Sequence, residues 1–287
     1  MRLTDLIMTQ GESMQYGVYL ILLLALGAAE AIRPRMAGDG RRLRWPTNFG
    51  MTAVNIFAMG LLPTSLIGIA VWAERNGLGL LNWTGAGLTV TIFVTLLFRA
   101  LLSYGTHVLM HKVPLLWRIH RVHHTDTRLD VSTTVRFHPF EFFVNLGLAA
   151  PFVILMGPSP WVLMLYEILD AGGNIVTHAN VDLPNKLDQV IRPLFVTPNM
   201  HLIHHSSFQP ETDSNYGAVF SVWDFVFGTH RWEATRPVGK MQIGLEEVRG
   251  RDAQGLLNLL ASPFRNQLSG SWVADSGREP TTSEVSR

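Results

Sequence analysis

His107-Val-Leu-Met-His111, His120-Arg-Val-His123-His124 and His201-Leu-Ile-His204-His205 hold eight of the chain's 11 histidines, with His138 and His178 between them. Spacings of three and four residues bring side chains to one face of a helix, so each run predicts a helical segment aiming its imidazoles at a common point. Histidines with unrelated surface or packing roles would not gather into about a third of the chain, nor repeat H-xx-HH twice. The pattern is that of metal-binding helices.

The residues around these runs set helix limits. Pro114 ends the segment carrying His107 and His111 and opens the next, over roughly Pro114 to Thr125. Thr197-Pro198 supplies a side-chain cap and a first-turn proline ahead of His201. Asn174 and His178 share the four-residue spacing. Four helical pieces thus present nine histidines and one asparagine, whereas one zinc site needs three or four ligands. Two metals would use them all, and imidazole suits iron, copper, zinc and nickel alike. Haem needs only one or two histidines per cofactor and gives no reason for the adjacent pairs 123/124 and 204/205. Cysteine is absent, which removes thiolate ligands, iron–sulfur clusters and disulfides.

Composition places these helices at a membrane. Of 287 residues, 47% are hydrophobic and 16% charged, against about 25% charged in soluble domains. A net charge of +1 without a basic, aromatic-interleaved run excludes nucleic acid as a partner. Three apolar stretches approach the length of a bilayer crossing: about Tyr16 to Ile32, read as a retained anchor rather than a cleaved signal, then Phe49 to Ala73 and Leu88 to Leu102. They carry almost no charge apart from Glu30 and Arg99 near their ends. The loop from Arg33 to Arg44 holds five arginines against Asp39, which predicts a cytoplasmic loop and, two crossings later, a cytoplasmic histidine block. A fourth apolar region, Phe142 to Leu169, is interrupted by Pro151 and by Gly157-Pro158-Ser159-Pro160, and reads as a hairpin of two half-length helices. The expected architecture is therefore all-α, an integral membrane bundle with about four embedded segments beneath a cytoplasmic histidine-rich cap. Residues 1–102 form the membrane region, 103–232 the metal-binding region with its hairpin at about 142–169, and 233–287 an extension whose tail, from about Asn266, is polar and expected to be disordered.

With Trp117-Arg-Ile-His-Arg-Val-His-His124, Phe137-His-Pro-Phe-Glu141, Asn215-Tyr-Gly217, Trp223-Asp224 and Phe227-Gly-Thr229 around the histidine runs, residues 90 to 232 resemble the fatty acid hydroxylase / sterol desaturase superfamily of membrane non-haem di-iron oxygenases. The resemblance implies two iron ions as cofactors, dioxygen as co-substrate, and hydroxylation or desaturation of a sterol, fatty-acyl or related lipid. It implies His107, His111, His120, His123, His124, His201, His204 and His205 as ligands, with His178 an additional one. Asn174 stands where some members have histidine. His138 recurs in the family and is a candidate for the metal or its surroundings. Asp126, Glu141, Asp170, Asp213 and Asp224 are candidate partners for the ligands' second nitrogens, and His230 reads as a packing residue.

Too few residues precede the first apolar stretch for a cytochrome b5 domain, so electrons are expected from a separate redox protein or a small reductant such as a pterin. A histidine-rich metal transporter is the alternative reading, but it predicts ionisable residues within several spans, whereas these histidines lie beyond the span ends. A catalytically silent binding protein would have no need of nine positioned imidazoles.

Overall fold

The computed structural model describes residues 3–36 and 40–265; the expected disordered tail lies outside them. Among the described residues there is no strand, only helices and two isolated bridges. Helix α1 (Leu3–Ile32) is followed by α2 (Arg41–Gly60), α3 (Leu66–Arg75), the short α4 (Leu80–Trp83) and α5 (Leu88–Lys112). Then come α6 (Pro114–His124), a 3-10 turn at Val131–Val135, α7 (Pro139–Met156), α8 (Pro160–His178), α9 (Asn185–Ile191) and α10 (Pro198–His204).

Three helices are long and apolar enough to cross a membrane: Thr9–Ile32 within α1, α5, and α7. Their outward faces are apolar, with Ile21, Leu24, Phe93 and Leu155 all more than half exposed. The end that carries the histidines is the inverse, burying Arg44, Asn48, Arg121, Asp126 and Arg136 almost completely. Apolar surface outside and paired polar groups inside is what a bundle in lipid beneath a packed polar cap requires.

Several expectations are corrected. The stretch Phe49 to Ala73 is not one span. Helix α2 stops at Gly60, Pro63 cannot donate to a continuing helix, and Ser65 caps α3 by accepting from the Gly68 amide at 3.1 Å. The break in the fourth region falls at Gly157–Ser159, and Pro151 sits inside α7 without ending it. The two arms are not half-length, since α7 has 18 residues and α8 has 19. Gly157 terminates α7 in the left-handed conformation (φ 59°), and a Cβ there would lie 2.4 Å from the Leu78 carbonyl oxygen. Arg99 is not near a span end, because α5 runs on to Lys112. It lies mid-helix and pairs with Glu167 of α8 at 3.0 Å.

Helix α1 packs along α8, and α5 packs against α6, α7 and α8. Glu30, at the end of α1, accepts from the amides of Val131 (2.9 Å) and Asn180 (2.7 Å), tying the membrane helix to the cap. The segment 250–264 also joins the cap, with Leu259 packed on Met51 and Val122 and the Ser262 carbonyl accepting from Arg121.

Candidate metal centre

Nine histidines meet in two adjacent groups. His107, His111, His120, His124 and His204 form one, and His123, His178, His201 and His205 form the other; within each group one ring nitrogen from every histidine lies within 4.8 Å of those of the others. The sequence runs do not each aim at one point, as their spacing suggested. In α6, His120 and His124 face the first group while His123 faces the second; in α10 and its cap, His201 and His205 face the second while His204 faces the first. Residues i and i+4 share a helix face, whereas neighbours are about 100° apart. Each adjacent pair therefore divides between the groups, so the two helices brace both.

The second nitrogens fix the ring orientations. Nδ1 of His107 donates to the Tyr216 carbonyl (2.8 Å), Nδ1 of His178 to the Asn174 carbonyl (2.7 Å) and Nδ1 of His204 to the Ser214 carbonyl (2.7 Å). Nδ1 of His120 lies 3.0 Å from Glu141 Oε1, a carboxylate that can only accept. In the neutral form of these four rings Nε2 is then the nitrogen that carries the lone pair. Yet Nε2 of His178 lies 3.0 Å from Nε2 of His123 and 2.9 Å from Nε2 of His201, and the Nε2 atoms of His107 and His120 are 3.1 Å apart. Ligands held at about 2.0–2.1 Å from one cation stand roughly 3 Å apart, so these lone pairs have the separation that shared coordination demands.

Protons are a poor substitute for a metal here. Burial first, then neighbouring imidazoles, holds His123, His124, His201 and His205 well below the ordinary histidine range. Burial also lowers His204, to about 3, with the Ser214 carbonyl opposing. Between pH 6.5 and those depressed values the unfolded chain binds more protons than the folded one, so stability falls as pH falls. Metal-free protein is expected to lose thermal stability steeply below pH 6.5, measured as the unfolding midpoint between pH 7.5 and 5; a flat profile would contradict the buried neutral imidazoles.

Other expected residues have different places. His138 belongs to neither group. Its Nδ1 accepts from the Phe140 amide at the start of α7 and its Nε2 lies 3.2 Å from the Leu260 carbonyl, so both nitrogens are engaged in structure. Asn174 supports His178 through its carbonyl and lines the cavity beside the histidines. The Asp224 carboxylate reaches no histidine of either group; it accepts from the amides of Tyr216 and Gly217 at 2.8 Å, holding the loop whose carbonyl meets His107. Asp126 pairs with Arg44. Asp213 lies 3.5 Å from His111 and also binds Lys112. His230 packs on Phe225 and Trp232.

The carbonyls of Ser214 and Tyr216 were not foreseen, because main-chain acceptors leave no mark in composition. Asn215 between them is the one non-glycine residue with positive φ (54°) among the described residues. Its side chain donates to the carbonyls of Met200 and Arg231, clamping that turn. The Asn-Tyr-Gly run was the available signal.

A cavity of about 220 Å³ opens beside both groups, reached by His107 and His120 of the first and His123, His178 and His201 of the second. Its other walls come from α5, α7 and α8, with Phe137 before α7 and the turn at Gly217 and Ala218.

The profile of the fatty acid hydroxylase family matches residues 92–229, the segment that carries all nine histidines. That segment belongs to the fatty acid hydroxylase family. The chain is 36% identical over 163 residues to an ornithine lipid hydroxylase of Rhizobium tropici, covering 56% of this chain and 46% of that protein. Similarity extends to alkylglycerol monooxygenase of Danio rerio (28% over 147 residues; 49% of this chain, 32% of the relative). A cholesterol 25-hydroxylase-like protein of the same fish is 34% identical over 130 residues (44% and 50%). The chain thus spans half or less of the length of these relatives, which are named as oxygenases of lipids. No solved structure matches it significantly.

Proposed function

We propose that this chain is a membrane-bound non-haem di-iron lipid hydroxylase. The observation that carries the reading is the pair of converging imidazole groups opening onto one cavity between helices of the membrane region. His107, His111, His120, His124 and His204 would hold one iron, and His123, His178, His201 and His205 the other. Bound there, the two irons supply reduction of dioxygen and oxidation of a substrate C–H bond.

The protein's own part is to fix and shield. The carbonyls of Asn174, Ser214 and Tyr216 and the carboxylate of Glu141 hold four imidazoles in the tautomer that presents Nε2, which raises ligand basicity as well. Met110, Phe137 and Phe142 close the apolar side of the cavity and limit water near the reacting carbon. Positioning that carbon against the metals is where such a site gains rate.

Hydroxylation is preferred over desaturation because the relatives above are named hydroxylases or monooxygenases. We assign residues 103–232 as the catalytic region and the preceding helices as its anchor, with electrons arriving from a separate donor. Arg44 and the histidines lie at the same end of the bundle, linked through Asp126, and the arginine-rich loop favours the cytoplasmic side for both.

The test is anaerobic loading of detergent-purified chain with ferrous iron, then exposure to lipid extract, reductant and dioxygen. About two irons per chain and a dioxygen-dependent gain of one oxygen atom in a lipid are expected. A haem absorption band, a single tightly bound metal, or no oxygenated lipid would overturn the assignment.

A further inference from the structure

Asp170 lines the same cavity from α8, one turn before Asn174 and two before His178, and neither metal group needs it. Its Oδ1 is buried without a hydrogen-bond partner. The nearby cation, Arg99, is directed elsewhere: its Nε donates to Glu167 Oε1 at 3.0 Å, and its guanidinium lies over the Tyr166 ring, 4.9 Å from the centroid. One cation therefore stands against two carboxyl groups, Glu167 and Asp170, and the one its guanidinium does not hydrogen-bond, Asp170, lines the cavity. Burying a charge is costly unless a partner compensates it, and an ionisable residue among membrane helices marks a functional site by default. Ser103, Asn145 and Asn174 complete a polar wall that a plain hydrocarbon tail would leave unsatisfied.

We propose that this cavity receives the ammonium group of an amine-bearing lipid, with Asp170 as its counter-ion and Asn145 and Asn174 as neutral hydrogen-bond partners. The inference rests on the lipid-hydroxylase reading and narrows it to a substrate class. Asp170 precedes His178 by eight residues, about 12 Å along a helix, so the carbon presented to the histidines is several bonds removed from the nitrogen. A neutral lipid of equal length would leave the carboxylate unpaired, which is the larger part of the discrimination.

Equilibrium binding of radiolabelled decylamine and of N-decylacetamide to the detergent-purified full chain tests this directly. The wild type is expected to bind the amine at least about tenfold more tightly than the amide, the range of a charge-assisted hydrogen bond. Asp170→Asn is expected to abolish that preference and Asp170→Glu to keep it, each with wild-type helicity and metal content. Equal affinity for the two probes in the wild type overturns the proposal, whatever the variants do; so does a preference that survives in Asp170→Asn or, should that variant misfold, in Asp170→Ser. Iron content and lipid oxidation are scored separately. A chain that holds two irons and oxidises lipid yet ignores the amine sinks this inference alone, whereas one that prefers the amine but takes up no iron sinks the hydroxylase reading.

Discussion

Alanine at His204 is expected to empty one metal group and alanine at His205 the other, although the two residues are neighbours. His204 belongs with His107, His111, His120 and His124, and His205 with His123, His178 and His201. Each single variant should retain close to one iron per chain, and the double variant none. Lipid oxidation should fall by more than about 100-fold in either single variant, since changes merely behind a ligand typically cost 10–100-fold. Iron analysis with iron spectroscopy on the singles distinguishes the two residual sites. The same split is expected at His123 and His124, with the order of groups reversed. If adjacent variants left spectroscopically identical irons, the two-group arrangement would be wrong.

The second large effect concerns folding. Asp126 is fully buried at the join of α2 and the cap, where it pairs with Arg44 and accepts from Asn48 Nδ2 (3.0 Å) and Thr133 Oγ1 (2.8 Å). Arg44 also reaches Asp130 at 2.9 Å, and Arg136 binds the Asn48 carbonyl group of the side chain at 2.7 Å. Burial opposes ionisation of Asp126, but Arg44 and Arg136 outweigh it and hold the carboxyl at about 2. Asp126→Ala would leave two buried guanidinium groups short of a counter-charge, at a cost of about 3–5 kcal/mol. Most of the chain is then expected to aggregate or lose its metal on extraction. Asp126→Asn, which keeps the shape and the acceptor from Thr133, should be milder. Thermal unfolding followed by size-exclusion chromatography would show it, and wild-type behaviour of Asp126→Ala would refute the role of this cluster as the joint between α2 and the cap.

That joint was invisible in the sequence. Asp126 stands two residues beyond His124 and reads as a partner for a metal ligand, whereas its actual partner, Arg44, is 82 positions earlier. The arginines of the first loop were legible as an orientation signal only. Pairing between distant charges depends on how helices meet, and a chain read one residue at a time does not contain that. For the same reason the stretch from Phe49 to Ala73 looked like one span: hydropathy averages over Pro63 and Ser65, which the backbone obeys.

Local chemistry was what the sequence determined alone: helical runs of histidine, their proline and threonine starts at Pro114 and Thr197-Pro198, the break at Gly157 to Ser159, and apolar segments suited to a membrane. These follow from short-range rules of period, capping and hydropathy. Tertiary structure alone decided which imidazole joins which group, that His138 caps a helix, and that carbonyls of Ser214 and Tyr216 orient His204 and His107. It also left Asp170 Oδ1 without a hydrogen-bond partner beside the cavity. The physical reason is that a metal centre is defined by angles between packed helices and by main-chain acceptors, and neither is written in side-chain identity.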